Sequence, residues 1–110
     1  MSEHYHDKDD MKLLKEMSKL APEEFKAWLN LNSIVAREDG HIPLKYRELI
    51  AIAVAVTTQC VYCIEAHATA AKKAGATREE IAETAFLAAA LRAGGATTHG
   101  AVALKFFDKE

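Results

Sequence analysis

The stretch Ile42-Pro43-Leu44-Lys45-Tyr46-Arg47-Glu48-Leu49-Ile50-Ala51-Ile52-Ala53-Val54-Ala55-Val56-Thr57-Thr58-Gln59 decides the fold. By period alone it reads two ways. Ile50, Ile52, Val54 and Val56 alternate with alanines, the pattern of a half-buried strand. A strand running into Cys60-Val61-Tyr62-Cys63 would suggest a thioredoxin-like sheet. Against this, the segment is long, opens with Pro43 and the polar run Lys45 to Glu48, and is filled with alanine, the best helix former. No other part of the chain supplies the strands that such a sheet needs. The segment is therefore expected to be a helix, and the fold class all-α.

Working outward, Cys60 to Ala74 continues as a second helix, with Gly75 as its C-terminal stop. Thr77-Arg78-Glu79-Glu80 has the form of a capping box, opening a helix that runs to about Arg92. Ala93-Gly94-Gly95 is expected to interrupt it. Thr97 or Thr98 would then cap a last helix through Phe107. Towards the N-terminus, Glu38-Asp39-Gly40 is a break. Ala21-Pro22-Glu23-Glu24 starts a helix, Pro being tolerated in the first turn and acids favoured at the positive end of the helix dipole. Met11, Leu14, Met17 and Leu20 mark a short helix before it. Residues 1–10, polar and acidic with His4 and His6, read as a flexible tail, leaving residues 11–110 as a single domain.

Composition narrows the function classes. The chain has 110 residues, half of them apolar and 27% charged, a globular balance. Fourteen basic against sixteen acidic residues give a net charge of −2, which offers no electrostatic footprint for nucleic acid or an anionic membrane. No signal peptide is visible and the longest apolar run, Leu49 to Val56, cannot span a bilayer. A cytoplasmic location follows as the expectation. Thiols are kept reduced there, so two cysteines three residues apart ask for a chemical explanation. Leu49 to Val56 and Ile81 to Leu91 are apolar nearly all round, more surface than one small domain can bury, so a homo-oligomer is expected.

The chemistry gathers at the cysteines. On a helix, Cys63 lies about 60° and His67 about 20° behind Cys60, so the three share one face. Cys60 falls near a helix N-terminus, with Thr57 and Thr58 as candidate caps, where unpaired N–H groups favour a thiolate. His67, four residues after Cys63, is within reach for proton transfer. If the chain reverses near Thr58, Glu48 comes level with the far side of His67, giving the axial order Glu48, His67, Cys63, Cys60. That order suits a relay from thiol through imidazole to carboxylate. Competing readings are buried core cysteines, or a zinc site completed by His67 and His99 in an oligomeric binding or scaffold protein. Tyr62 and His99 are possible substrate or thiol contacts, although packing accounts for Tyr62 and a helix start for His99. No metal or cofactor is expected.

Ile42 to Ile50, Cys60 to His67 and Gly75 to Ile81 together resemble the carboxymuconolactone decarboxylase family, in its AhpD-like alkyl hydroperoxidase branch. The resemblance covers about residues 20–107, and its core is a Glu twelve residues before a C-x-x-C with a His four after the second Cys. It implies an all-α fold assembled as a homotrimer or homohexamer. It further implies cysteines that cycle between dithiol and disulfide while reducing peroxides, recharged by an external dithiol. In that pattern Cys63 is the peroxide-attacking thiolate, Cys60 its resolving partner, and His67 and Glu48 the relay. The branch usually has His between the cysteines where this chain has Tyr62, a departure that bears on substrate and efficiency. A general dithiol–disulfide oxidoreductase without peroxidase activity is the alternative. The lactone decarboxylase branch does not rely on a C-x-x-C pair, which disfavours that chemistry.

Overall fold

The computed structural model describes residues 7–110. Among these it contains five α-helices and no strand: α1 (Leu13–Leu20), α2 (Pro22–Val35), α3 (Leu44–Thr58), α4 (Val61–Lys73) and α5 (Arg78–Phe107), preceded by a 3-10 helix, Lys8–Lys12. The segment that alternates Ile and Val with Ala is α3, so alanine content and length outweigh the period-two pattern. Contacts divide the chain into two compact units, Met1–Arg47 and Glu48–Glu110, where the sequence suggested one domain from residue 11.

In the first unit, the 3-10 helix begins within the segment that the sequence suggested as a tail. Asp7 caps the 3-10 helix, its side chain accepting the Asp9 N–H at 2.9 Å while the Asp10 carboxylate accepts the Asp7 N–H at 3.0 Å. His4 and His6 lie outside the described residues. Helices α1 and α2 touch one another across a break at Ala21. Leu14, Met17, Phe25 and Trp28 line an apolar hollow of about 340 Å³ between them. The loop after α2 is held by Arg47, whose Nε and Nη1 donate to the carbonyls of Ile42 and Val35, each at 2.8 Å. Gly40 lets that guanidinium through, because a β-carbon at position 40 would occupy its space.

The second unit is built from the remainder of α3 with α4 and α5. Its buried apolar side chains are Ile52 and Ala55 from α3, Ala71 from α4 and Ala88 from α5, all but Ile52 small. Gly75 ends α4 as the sequence leads one to expect. With φ at +94° it turns the chain so that the Ala76 N–H bonds the Ala71 carbonyl at 2.9 Å and its own N–H bonds Lys72 at 3.1 Å. Nothing lies within 4 Å of where a β-carbon at 75 would sit, so Gly75→Ala would cost only the left-handed backbone penalty. Thermal or denaturant unfolding should show a loss of about 1–2 kcal/mol. The capping box at Thr77 and Glu80 forms, with N–H bonds of 3.1 and 2.8 Å.

The break expected at Ala93-Gly94-Gly95 is absent. Helix α5 runs unbroken from Arg78 to Phe107, and Thr97 and Thr98 are not caps but donate back to Ala93 and Gly95 at 2.8 and 3.1 Å. Two helical glycines cost about 1 kcal/mol each relative to alanine. The surrounding alanines and leucines offset that, and no proline removes an N–H. Along α5, Phe86, Leu87, Leu91, Leu104, Phe106 and Phe107 remain 61–85% exposed.

Candidate active site

The corner between α3 and α4 sets the geometry of the site. Thr57 and Thr58 do not cap α4. Their hydroxyls donate back into α3, Thr57 to Ala53 and Val54 at 3.1 and 2.9 Å and Thr58 to Val54 at 2.9 Å. The hydroxyls reach the carbonyls of their own preceding turn, the usual competition for Ser and Thr within helices. Gln59 then takes the left-handed conformation, φ +58°, and the Cys60 N–H bonds the Ala55 carbonyl at 3.0 Å. This is the same closing bond that Gly75 makes possible at the end of α4.

Cys60 is itself the N-cap of α4. Its backbone is extended (φ −88°, ψ 90°), its carbonyl accepts the Ile64 N–H at 3.0 Å, and its Sγ accepts the Cys63 N–H at 3.3 Å. Cys60 thus stands just outside the helix rather than on its face, a correction to the reading of three side chains on one helical wheel. The two cysteines nevertheless meet. They form a disulfide with Cα atoms 5.2 Å apart, and both are half-buried.

The second pair forms across the reversal. His67 Nδ1–H donates to Glu48 Oε2 at 2.7 Å, joining residues 19 apart in sequence. The Glu48 side chain is 7% exposed and that of His67 32%. A carboxylate this deeply buried needs a partner, and His67 supplies it. Because Nδ1 holds the carboxylate, Nε2 is the ring nitrogen left for proton exchange. Cys63 and His67 lie one helical turn apart on α4, a separation of roughly 5–6 Å between β-carbons. The unit therefore combines a dithiol–disulfide pair, an imidazole with one free nitrogen, and a buried carboxylate that orients the ring. That assembly can break and make a sulfur–sulfur bond and move the accompanying proton.

The other candidates fall differently. Tyr62 is half-buried in the first turn of α4. His99 lies within α5 rather than at a helix start; it is exposed, and its Nδ1–H is given to the Gly95 carbonyl at 2.8 Å. His41 lies in the exposed loop before α3. Among the described residues, no three His, Cys, Asp or Glu side chains converge on a point where a metal ion could be held, so the zinc arrangement with His67 and His99 has no geometric support. Among the same residues, no helix is long and apolar enough to cross a membrane. The element that sequence reasoning missed is Cys60 as N-cap. Cysteine has no strong preference for that position, so the sequence pointed instead to Thr57 and Thr58 as the caps at a reversal near Thr58.

Several known proteins and one family model are similar to this chain. The chain is 43% identical over 83 residues to "uncharacterized protein 4 in cox locus" of Paracoccus denitrificans, covering 76% of this chain and 74% of that protein. An uncharacterized protein of Cupriavidus necator is 36% identical over 73 residues, or 66% of this chain and 65% of that one. One from Haemophilus influenzae is 47% identical over 53 residues, 48% and 46% of the two chains. Residues 22–106, which contain Glu48, both cysteines and His67, match a single family throughout. With its all-helical fold and a disulfide that fits a C-x-x-C redox role, the chain belongs to the carboxymuconolactone decarboxylase family.

Proposed function

We propose that the protein is a thiol oxidoreductase of the AhpD-like kind, reducing peroxides through a Cys60–Cys63 dithiol–disulfide cycle. The observation that carries the reading is the disulfide at the N-terminus of α4, in the same unit as the hydrogen-bonded Glu48–His67 pair. Either feature alone has a structural explanation. Together they supply an electron store and a proton route.

In the proposed cycle, His67 Nε2 takes the Cys63 thiol proton, and the Cys63 thiolate attacks the peroxide O–O bond. Cys63 becomes a sulfenic acid and the peroxide leaves as an alcohol or water. Cys60 sulfur then attacks the sulfenic sulfur, forming the disulfide and releasing water. An external dithiol reduces the pair by exchange and is itself oxidised. Glu48 fixes the ring through Nδ1 and balances the imidazolium that forms, so it is a positioning residue. A reducing cytoplasmic compartment is the setting in which such a donor is regenerated.

The competing reading keeps the disulfide cycle and drops the peroxide, leaving a general dithiol–disulfide oxidoreductase. Stopped-flow oxidation of the reduced protein separates the two. Faster oxidation by hydrogen or alkyl peroxide than by a small-molecule disulfide such as oxidised glutathione supports the peroxidase. The opposite ranking overturns it and favours the general exchange enzyme.

The proposal includes assembly with further copies of the chain, as a homotrimer or homohexamer. The exposed apolar side chains of α5 support it, as does an open groove of about 430 Å³ lined by Val54, Leu87, Ala88 and Leu91. Fully burying each such large side chain is worth about 1.5–3 kcal/mol. Sedimentation should therefore give three or six times the monomer mass. Leu91→Asp should shift that mass downward, whereas a monomeric parent at micromolar concentration would refute the assembly.

A further inference from the structure

The two sulfurs of the disulfide sit in different surroundings. Cys60 Sγ is the acceptor of a backbone N–H, that of Cys63, at 3.3 Å. It occupies the N-cap position of α4, a helix of 13 residues that begins with Val61. The corner that puts it there is fixed from the other side by the Cys60 N–H bond to Ala55 and by the left-handed Gln59. Cys63 stands inside the first turn, one turn before His67, whose Nδ1 is already committed to Glu48. Each sulfur thus has its own means of accommodating an electron pair. Cys60 has a fixed N–H at the positive end of a helix, and Cys63 has an imidazole that can return a proton.

From this asymmetry we infer that the reductive half of the cycle is regioselective: the external dithiol attacks Cys63 Sγ, and Cys60 departs as the thiolate. The inference rests on the redox reading above and specifies its return step. In exchange, the attacking thiolate, the sulfur attacked and the leaving sulfur align, and the better stabilised thiolate leaves faster. Backbone N–H groups at a helix N-terminus stabilise a thiolate. The bond from Cys63 N–H to Cys60 Sγ is already made in the disulfide, so no rearrangement precedes the charge it receives.

The donor's thiolate forms a bond to Cys63 Sγ, the Cys60–Cys63 bond breaks, and its electron pair stays on Cys60. His67 Nε2 takes the proton of the donor's second thiol, and the resulting thiolate attacks the donor sulfur of the mixed disulfide. That forms the donor's own disulfide and expels Cys63 sulfur, which takes a proton from protonated His67. The donor loses two electrons and the cysteine pair gains them. The Cys60 thiolate keeps its charge or takes a proton from solvent.

The test uses the wild-type protein, oxidised, with reduced glutathione as the probe. After brief reaction the mixture is quenched with acid, free thiols are blocked with N-ethylmaleimide, and peptides are mapped by mass spectrometry. Glutathione on Cys63 with maleimide on Cys60 should exceed the reverse pattern by about tenfold or more. A merely structural N-cap would not give this bias. Equal labelling, or glutathione chiefly on Cys60, overturns the regioselectivity and leaves the redox reading standing. A pair that glutathione cannot open at all overturns both.

Discussion

Cys63→Ser should lower peroxide consumption by about three orders of magnitude or more, because a serine hydroxyl is a poor nucleophile towards an O–O bond. Cys60→Ser should behave differently. The first peroxide should still be consumed, leaving a sulfenic acid on Cys63 that dimedone captures, and turnover should then stop for want of a resolving sulfur. Both substitutions are nearly isosteric, and serine is a good N-cap, so the position vacated by Cys60 remains capped. Circular dichroism and melting should therefore change little while activity collapses. Peroxide consumption that survives Cys63→Ser would remove Cys63 from the role of attacking thiol. Dimedone labelling confined to Cys60 would reverse the assignment of the two sulfurs.

The second large effect concerns the buried pair. Removing a group that transfers a proton in the rate-limiting step lowers rates by about 10²–10⁴-fold, and His67→Ala should fall in that range for oxidation by peroxide. It should also destabilise the fold. Glu48, with a side chain only 7% exposed, would be left without its partner, at a cost of about 3 kcal/mol or more. The double variant Glu48→Gln/His67→Ala separates these effects, since it should regain most of the stability and none of the rate. Glu48→Gln alone keeps an acceptor for Nδ1–H but loses the negative charge, and should slow oxidation by about tenfold. Reduction of the disulfide by excess dithiothreitol should change far less in all three variants. Full activity in the double variant would show that the pair is only a packing feature.

The parts of the molecule that were legible in the sequence are those where several local signals agree. For α3, alanine content, length and the preceding Pro43 pointed the same way and prevailed over the strand-like period. Gly75 and the Thr77–Glu80 box announced themselves because their chemistry is local: a positive φ in one case, reciprocal N–H bonds in the other. Meeting of Glu48 and His67 was legible only through the condition that the chain reverse near Thr58, and the 2.7 Å bond shows that it does.

What escaped has physical reasons as well. Thr57 and Thr58 looked like caps for α4, yet their hydroxyls are used within α3. Cys60 took the cap position because Gln59 adopts a left-handed turn that sequence preference would assign to glycine or asparagine. The Gly94–Gly95 break failed because a helix penalty of a couple of kcal/mol falls short of what a neighbouring run of alanine and leucine sustains. High polarity likewise concealed the 3-10 helix that Asp7 and Asp10 cap reciprocally.

A peroxidase cycle requires Cys60 and Cys63 to exchange a bond in response to peroxide. The direct measurement is intact-mass and peptide analysis of the reduced protein treated with one equivalent of peroxide, then with an excess of dithiol. The expected result is loss of two hydrogen atoms with a Cys60–Cys63 cross-link inside one chain, fully reversed by the dithiol. Two free thiols persisting after peroxide has been added, or a cross-link that no dithiol opens, would contradict it.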